Sequence, residues 1–338
     1  MKVDLQINLL KSIDEMKIYK FLPLLFMLFS GLAGIAQEVH NDTTKFNSKS
    51  LIKQDNITIE SRELFKRKGN FFVFWGYNRS AYSKSDINFH GDGYNFTITG
   101  VRAIDEPDYD YIQYINPGTV TIPEFNFRMG YYINDKTFLS IGWDHMKYGI
   151  VKQSTYLTGT VSKDNNGDKN VGTYNNTEVE VGESNDAETL VPSIIDSLPK
   201  GFVSNFEHCD GLNDVVFELG RLEQLWISKN HLDALSVIGT ISPGIVIPDS
   251  DADILGYPPK HDMNAGKKAF HLAGYSFSAS IGLQFDFCKH LFLQTRLKAG
   301  YINLPDINTT TTGGKASQHF TYIEPMLVLG YSFSINNH

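Results

Sequence analysis

The stretch Tyr275-Ser276-Phe277-Ser278-Ala279-Ser280-Ile281-Gly282-Leu283-Gln284-Phe285-Asp286-Phe287 alternates without a break. Successive side chains of a β-strand point to opposite faces, so this run is a strand with two unlike faces. One face carries Tyr275, Phe277, Ala279, Ile281, Leu283, Phe285 and Phe287; the other carries Ser276, Ser278, Ser280, Gly282, Gln284 and Asp286. A soluble sandwich uses shorter strands. A tilted crossing of a bilayer takes about 9–11 residues and leaves room for an extension above it, with large apolar groups toward lipid and polar ones toward a lumen.

The same sorting recurs at residues 124–132, 137–144, 291–301 and 323–335. Segments 70–80 and 232–247 fit less cleanly, and 213–228 loses its alternation near Arg221 and Leu222, where a bulge is expected. Short polar turns at Asn134-Asp135, Lys229-Asn230 and Lys289-His290 join consecutive strands, whereas residues 81–120, 150–212, 248–269 and 304–319 read as long connections. Short turns on one side and long loops on the other predict an all-β fold: a transmembrane antiparallel β-barrel of about eight strands, with long extracellular loops and short periplasmic turns. Asn95 to Ala103 is then a hairpin extension inside the first long loop. If it crosses, Gln153 to Val161 must cross as well, and the alternative is ten strands. Closure pairs every backbone group and leaves no edge facing lipid.

Composition agrees with this class. The 338 residues are 13% aromatic and carry a net charge of −8, with no basic run longer than Lys66-Arg67-Lys68, so a nucleic-acid partner is not expected. Residues 1–36 read as a signal peptide: Lys17 and Lys20, an apolar core from Phe21, and Gly34 and Ala36 before a cut at Gln37. Met16 is the expected true start, because residues 1–15 add Asp4, Asp14 and Glu15 ahead of an otherwise normal leader. Residues 37–69 are expected to form a periplasmic tail with a short helix around Ser61 to Lys68, and 70–338 the outer-membrane barrel. Cys288, at a periplasmic turn, and Cys209, in an outer loop, would lie too far apart to pair.

The inward face carries Glu124, Arg128, Asp144, Glu218, Asp286, Arg296, Lys298 and Glu324. A barrel of this size has room only for side chains, so these charges are expected to pair in a polar network that plugs the lumen. A second set lies toward the outer rim: Asp144-His145 with Lys147 and Tyr148, and Glu207-His208 with Asp210, on neighbouring strands, with Ser317, Gln318 and His319 close by. If the two His-acid pairs meet, His145 or His208 could serve as a base, Asp144 or Asp210 as its acid and Ser317 as a nucleophile. No G-x-S-x-G or H-E-x-x-H motif accompanies them, and catalysis is the less favoured reading. No metal site and no cofactor are expected, beyond divalent cations at acidic loops. Asp164-Asn165-Asn166-Gly167-Asp168 has the core of a calcium loop but no following bidentate Glu, and Glu178, Glu180, Glu183, Asp186 and Glu188 follow it.

The segment Asp108-Tyr109-Asp110-Tyr111-Ile112-Gln113-Tyr114 suits sugar stacking, partner docking or an interfacial girdle. Gly330-Tyr331-Ser332-Phe333-Ser334-Ile335 resembles the C-terminal signal read by the barrel-assembly machinery, although the chain runs on through Asn336-Asn337-His338. Phe74-Trp75-Gly76-Tyr77-Asn78-Arg79, Gly91-Asp92-Gly93-Tyr94-Asn95-Phe96-Thr97, Gly142-Trp143-Asp144-His145-Met146-Lys147-Tyr148 and Phe206-Glu207-His208-Cys209-Asp210-Gly211-Leu212-Asn213 together resemble uncharacterised outer-membrane β-barrel proteins of Bacteroidetes-type bacteria. That resemblance implies architecture and location and carries no activity. The expected function is a structural or surface-binding role at the outer membrane. The expected partners are membrane lipids, lipopolysaccharide and an unidentified surface ligand. A rim-located lipid- or acyl-modifying enzyme is the alternative, and a narrow channel the second alternative.

Overall fold

Period-two patterning produces strands almost throughout a computed structural model that describes residues 64–107, 110–182, 198–199, 201–208, 211–260 and 270–335. In chain order they are β1 (Phe71–Asn78), β2 (Ala81–Tyr82), β3 (Ser85–Gly91), β4 (Tyr94–Val101), β5 (Ala103–Ile104), β6 (Phe125–Tyr132), β7 (Thr137–Met146), β8 (Gly149–Ile150) and β9 (Gln153–Val161). There follow β10 (Gly172–Val181), β11 (Val203–Glu207), β12 (Leu212–Ile227), β13 (Ala234–Pro248), β14 (Asp251–Ile254), β15 (Gly274–Phe287), β16 (Leu291–Asn308) and β17 (Lys315–Phe333).

Eight of these described strands form a ring, β1-β6-β7-β12-β13-β15-β16-β17, which β1 closes by pairing antiparallel with β17. The register shows the tilt that closure requires. Paired residues followed from Trp75 through Phe127, Trp143, Val215, Ile245, Tyr275 and Asn303 lead to His319, which lies beside the Tyr82 to Ile87 stretch and not beside Trp75. The outward residues form an apolar belt that includes Ile141, Trp143, Phe217, Ile241, Phe277, Ile281, Leu297 and Leu329, all exposed. A closed antiparallel sheet with such a belt is a membrane-spanning barrel of the outer-membrane type. Its short turns are fixed locally. Asn134 Oδ1 accepts the amides of Lys136 and Thr137 at 2.9 Å, and Cys288 and Lys289 turn the chain with φ of 54° and 70°.

At the other end, the outer end by the turn-length rule, the described parts of the long connections carry sheet, which corrects their reading as loops alone. Strand β17 pairs first with β1, then with β2, then with β3, and β3-β4-β9-β10 continue the sheet beyond the barrel. A second sheet, β14-β11-β8-β5, accompanies it. Neither β4 nor β9 crosses the barrel: each pairs within this outer extension. Residues 304–319 are likewise no loop but the ends of β16 and β17, joined at 309–314. The outer sheets share one apolar core with the barrel mouth. Ile87, Phe89, Phe96, Val179, Phe206 and Ile254 of the extension belong to the same buried cluster as Met146, Leu212, Val246, Ile302 and Phe320 of the ring.

The short-turn end departs from the simple picture of an apolar outside and a polar inside. Here Phe72, Phe74, Tyr132, Phe138, Leu222, Ile238, Phe292, Met326 and Val328 point inward and form a second apolar cluster. Arg221 and Glu223 point outward instead, bonded to each other at 2.7 Å, and Lys136 also donates to Glu223. Alternation is therefore intact at Arg221-Leu222 and only its polarity is inverted; the bulge lies at Gln224/Trp226. Residues 64–69 form no helix among the described residues, and they are more than a tail. Phe65 is buried with its amide on Gln224 Oε1 (2.7 Å), and the buried Arg67 reaches Ser236 and Asp286 across this end of the barrel.

Glycines make the aromatic layer fit. Phe72 stands opposite Gly130, Phe138 opposite Gly220 and Phe292 opposite Gly330, and a Cβ on any of these glycines would overlap the facing ring. At Gly239 a Cβ would meet only the Ser280 carbonyl, at 3.8 Å. Gly220→Ala should therefore lower the unfolding free energy of the detergent-refolded barrel by about 1–3 kcal/mol through overpacking. Gly239→Ala should leave it unchanged in the same denaturant titration.

Candidate functional site

Above the aromatic layer, alternation on five ring strands brings ionic side chains to a common level. Arg128 grips both oxygens of Asp144, at 2.6 and 2.8 Å, in the planar fork that a guanidinium offers a carboxylate. Lys298 bonds the same carboxylate at 2.6 Å and Glu324 at 2.5 Å. Asn126 donates to both Asp144 and Glu324 at 2.6 Å. Arg296 bonds Glu218 at 3.0 Å, and Ser276 donates to Asp214 at 2.7 Å. All of these groups are buried. The guanidinium carbons of Arg296 and Arg128 lie 5.3 and 6.0 Å from the Phe74 ring centroid, so the ionic layer rests on the aromatic one through cation–π contact.

Of the predicted inward charges, Arg128, Asp144, Glu218, Arg296, Lys298 and Glu324 belong to this central cluster. Glu124 lies above it, bonded to Arg79 at 2.7 Å, and Asp286 below it, bonded to Arg67. Sequence reasoning missed Arg67 and Arg79 because neither sits within a ring strand, so neither has an alternation partner to identify its face. It also missed Asp214, which shares its strand with Glu218.

The rim candidates are separated for a simple reason. Asp144 and His145 are consecutive in β7, so they point to opposite faces. Asp144 enters the lumen, whereas His145 stacks on Phe125 (5.1 Å) with Nδ1 at 2.9 Å from Asn213 Oδ1, which also accepts from Trp143 Nε1. His208 is buried inside the outer core, its ring against Phe206 and Tyr148. Ser317 and Gln318 are likewise consecutive, and it is Gln318 that reaches His208, donating to Nε2 at 2.9 Å. Nδ1 then carries the ring proton and donates to Ser250 Oγ at 2.8 Å, the reverse of the polarity needed to activate a serine. Asp210 and Cys209 lie outside the described residues.

The remaining motifs resolve locally. Asp164 accepts the amides of Asn166, Asp168 and Asn170 at 3.0, 2.6 and 2.8 Å, so its carboxylate closes a loop. Lys152 lies 3.6 Å from Glu180; Glu183, Asp186 and Glu188 lie outside the described residues. Among the described residues no group of three or more His, Cys, Asp or Glu side chains is placed to hold a metal. Asp110 caps a single 3-10 turn, Tyr111–Tyr114, and leaves Tyr111 and Ile112 exposed; Asp108 and Tyr109 lie outside the described residues.

No known protein family and no curated protein matches the sequence. Solved structures similar to this chain include outer-membrane and surface proteins. The outer-membrane protein AlkL in lipid bilayers has 9% identity and a TM-score of 0.37 over 87% of this chain and 99% of that one. OprG from Pseudomonas aeruginosa has 9% identity and a TM-score of 0.35 over 80% and 100%. Neisserial surface protein A has 10% identity and a TM-score of 0.29 over 79% and 100%. At these values they carry no argument about what this chain does.

Two outcomes follow. Asp144→Ala leaves Arg128 and Lys298 short of a buried partner, and should cost about 3–5 kcal/mol in denaturant unfolding of the refolded barrel. Burial pushes His208 down to about 3, so the fold favours its neutral form. Its contribution is fully present above the ordinary histidine range near 6.5 and is lost as pH falls from there through about 3. His208→Gln should therefore show a smaller drop in stability than wild type between pH 6.5 and 3.5, read from parallel melting curves.

Proposed function

We propose that this outer-membrane barrel acts as a membrane anchor for a β-structured head, with a structural or surface-binding role and a plugged lumen. The observation that carries the reading is the continuous apolar core shared by the head and the barrel mouth, seated over a paired ionic layer and an aromatic layer. Three successive layers of buried side chains support a plugged lumen. A barrel of this strand number encloses little beyond its own side chains. The placement of Asp144 and His145 on opposite faces of their strand, and of His208 on Gln318 instead of Ser317, supports the non-enzymatic reading.

In planar bilayers the purified barrel should give no discrete conductance steps; reproducible unitary currents would overturn the plugged reading in favour of the narrow channel. Lipid A from a deletion strain should have an unchanged mass spectrum. A mass shift restored by the wild-type gene and not by a His208→Ala gene would overturn the non-enzymatic reading.

A further inference from the structure

Four side-chain oxygens at the neck of the segment between β5 and β6 are buried without a hydrogen-bond partner: Asn78 Oδ1, Ser80 Oγ, Asp105 Oδ1 and Glu124 Oε1. The backbone brings their residues together. Tyr77 pairs with Phe125, so Asn78 and Glu124 stand next to each other on the inward face, and the Asn78 amide donates to the Glu124 carbonyl at 3.3 Å. The Ser80 amide donates to Asp105 Oδ2 at 3.1 Å, and the Asp105 and Glu124 carboxyls lie within hydrogen-bonding reach of each other. Asn78, Ser80 and Glu124 are 3%, 8% and 0% exposed, so three of the four orphaned oxygens belong to residues shielded from bulk water.

Charge at the neck is unbalanced. Two carboxyls face one cation, Arg79, whose guanidinium is already engaged by Glu124 Oε2 at 2.7 Å and by the Tyr114 hydroxyl. A proton shared by the acid pair would satisfy Asp105 and Glu124 but leave Asn78 Oδ1 and Ser80 Oγ unmet. A hard divalent cation takes oxygen ligands of carboxylate, amide-carbonyl and hydroxyl or water type, the kinds gathered at this neck.

We propose that this neck is a divalent-cation site, with Asp105, Glu124, Asn78 and Ser80 as oxygen ligands and calcium as the fitting ion. Asp105 and Glu124 stand at the two ends of the segment that carries the exposed Tyr111, Ile112 and Ile115, so the bound ion ties those ends together. The site is separate from the acidic stretch that begins at Glu178.

Isothermal titration of the full refolded barrel with calcium chloride at pH 7 tests the proposal. One saturable site is expected, weakened at least tenfold in Asp105→Asn and in Ser80→Ala and retained in Glu178→Gln. Asp105→Asn mimics the protonated acid and should fold, which heat-modifiable gel mobility checks. Absence of saturable binding, or binding equal in wild type and Asp105→Asn, would overturn it.

Discussion

In hydrocarbon no water is available to a backbone amide or carbonyl, so every such group in the spanning region must find its partner within the chain. The pairing of β1 with β17, residue by residue from Phe71 opposite Phe333 to Asn78 opposite Met326, meets that demand by removing the last two edges. Much of the interior follows from this closure. A ring this narrow must be filled by its own side chains, and charges that point inward must pair there or forfeit their hydration without return. Arg128, Asp144, Lys298 and Glu324 bind one another for that reason. The rings of Phe72, Phe138 and Phe292 pack only because glycine stands opposite each of them.

The barrel was legible where its two faces differ in polarity. Tyr275 to Phe287 shows its faces plainly, and the inward charges from Glu124 to Glu324 could be read from the same rule. Where the inside is also apolar, the rule has nothing to register. Leu291-Phe292-Leu293 and Met326-Leu327-Val328-Leu329 read as uniform apolar runs, yet Phe292, Met326 and Val328 face in while Leu293, Leu327 and Leu329 face lipid. The outer sheets carried a signal that length obscured. Ile87, Phe89, Phe96 and Ile98 alternate as clearly as any ring strand, but they lie in a connection too long to suggest a hairpin.

The rim constellation failed for a geometric reason that sequence proximity conceals. On a helix, neighbours at suitable spacing share a face; on a strand, consecutive residues never do. Asp144-His145 and Ser317-Gln318 each split between two environments, and the contacts of His208 with Ser250 and Gln318 join residues far apart in the chain. Arg67 and Arg79 show the complementary limit. Their partners, Asp286 and Glu124, could be found from alternation, but the arginines come from irregular segments whose direction only the folded chain sets.

The central claim is that the lumen is filled by its own side chains and closed to water. Ser140, buried and bonded to Glu218 at 3.3 Å, lies within the ionic layer and is suited to a direct test. In a Cys209→Ser, Cys288→Ser background, Ser140→Cys would be exposed to a small, charged, membrane-impermeant thiol reagent in the folded barrel and after unfolding. A thiol that stays unmodified in the folded protein and reacts fully once unfolded is the predicted result. Modification of the folded protein at the unfolded rate would mean a continuous aqueous path and would contradict the account.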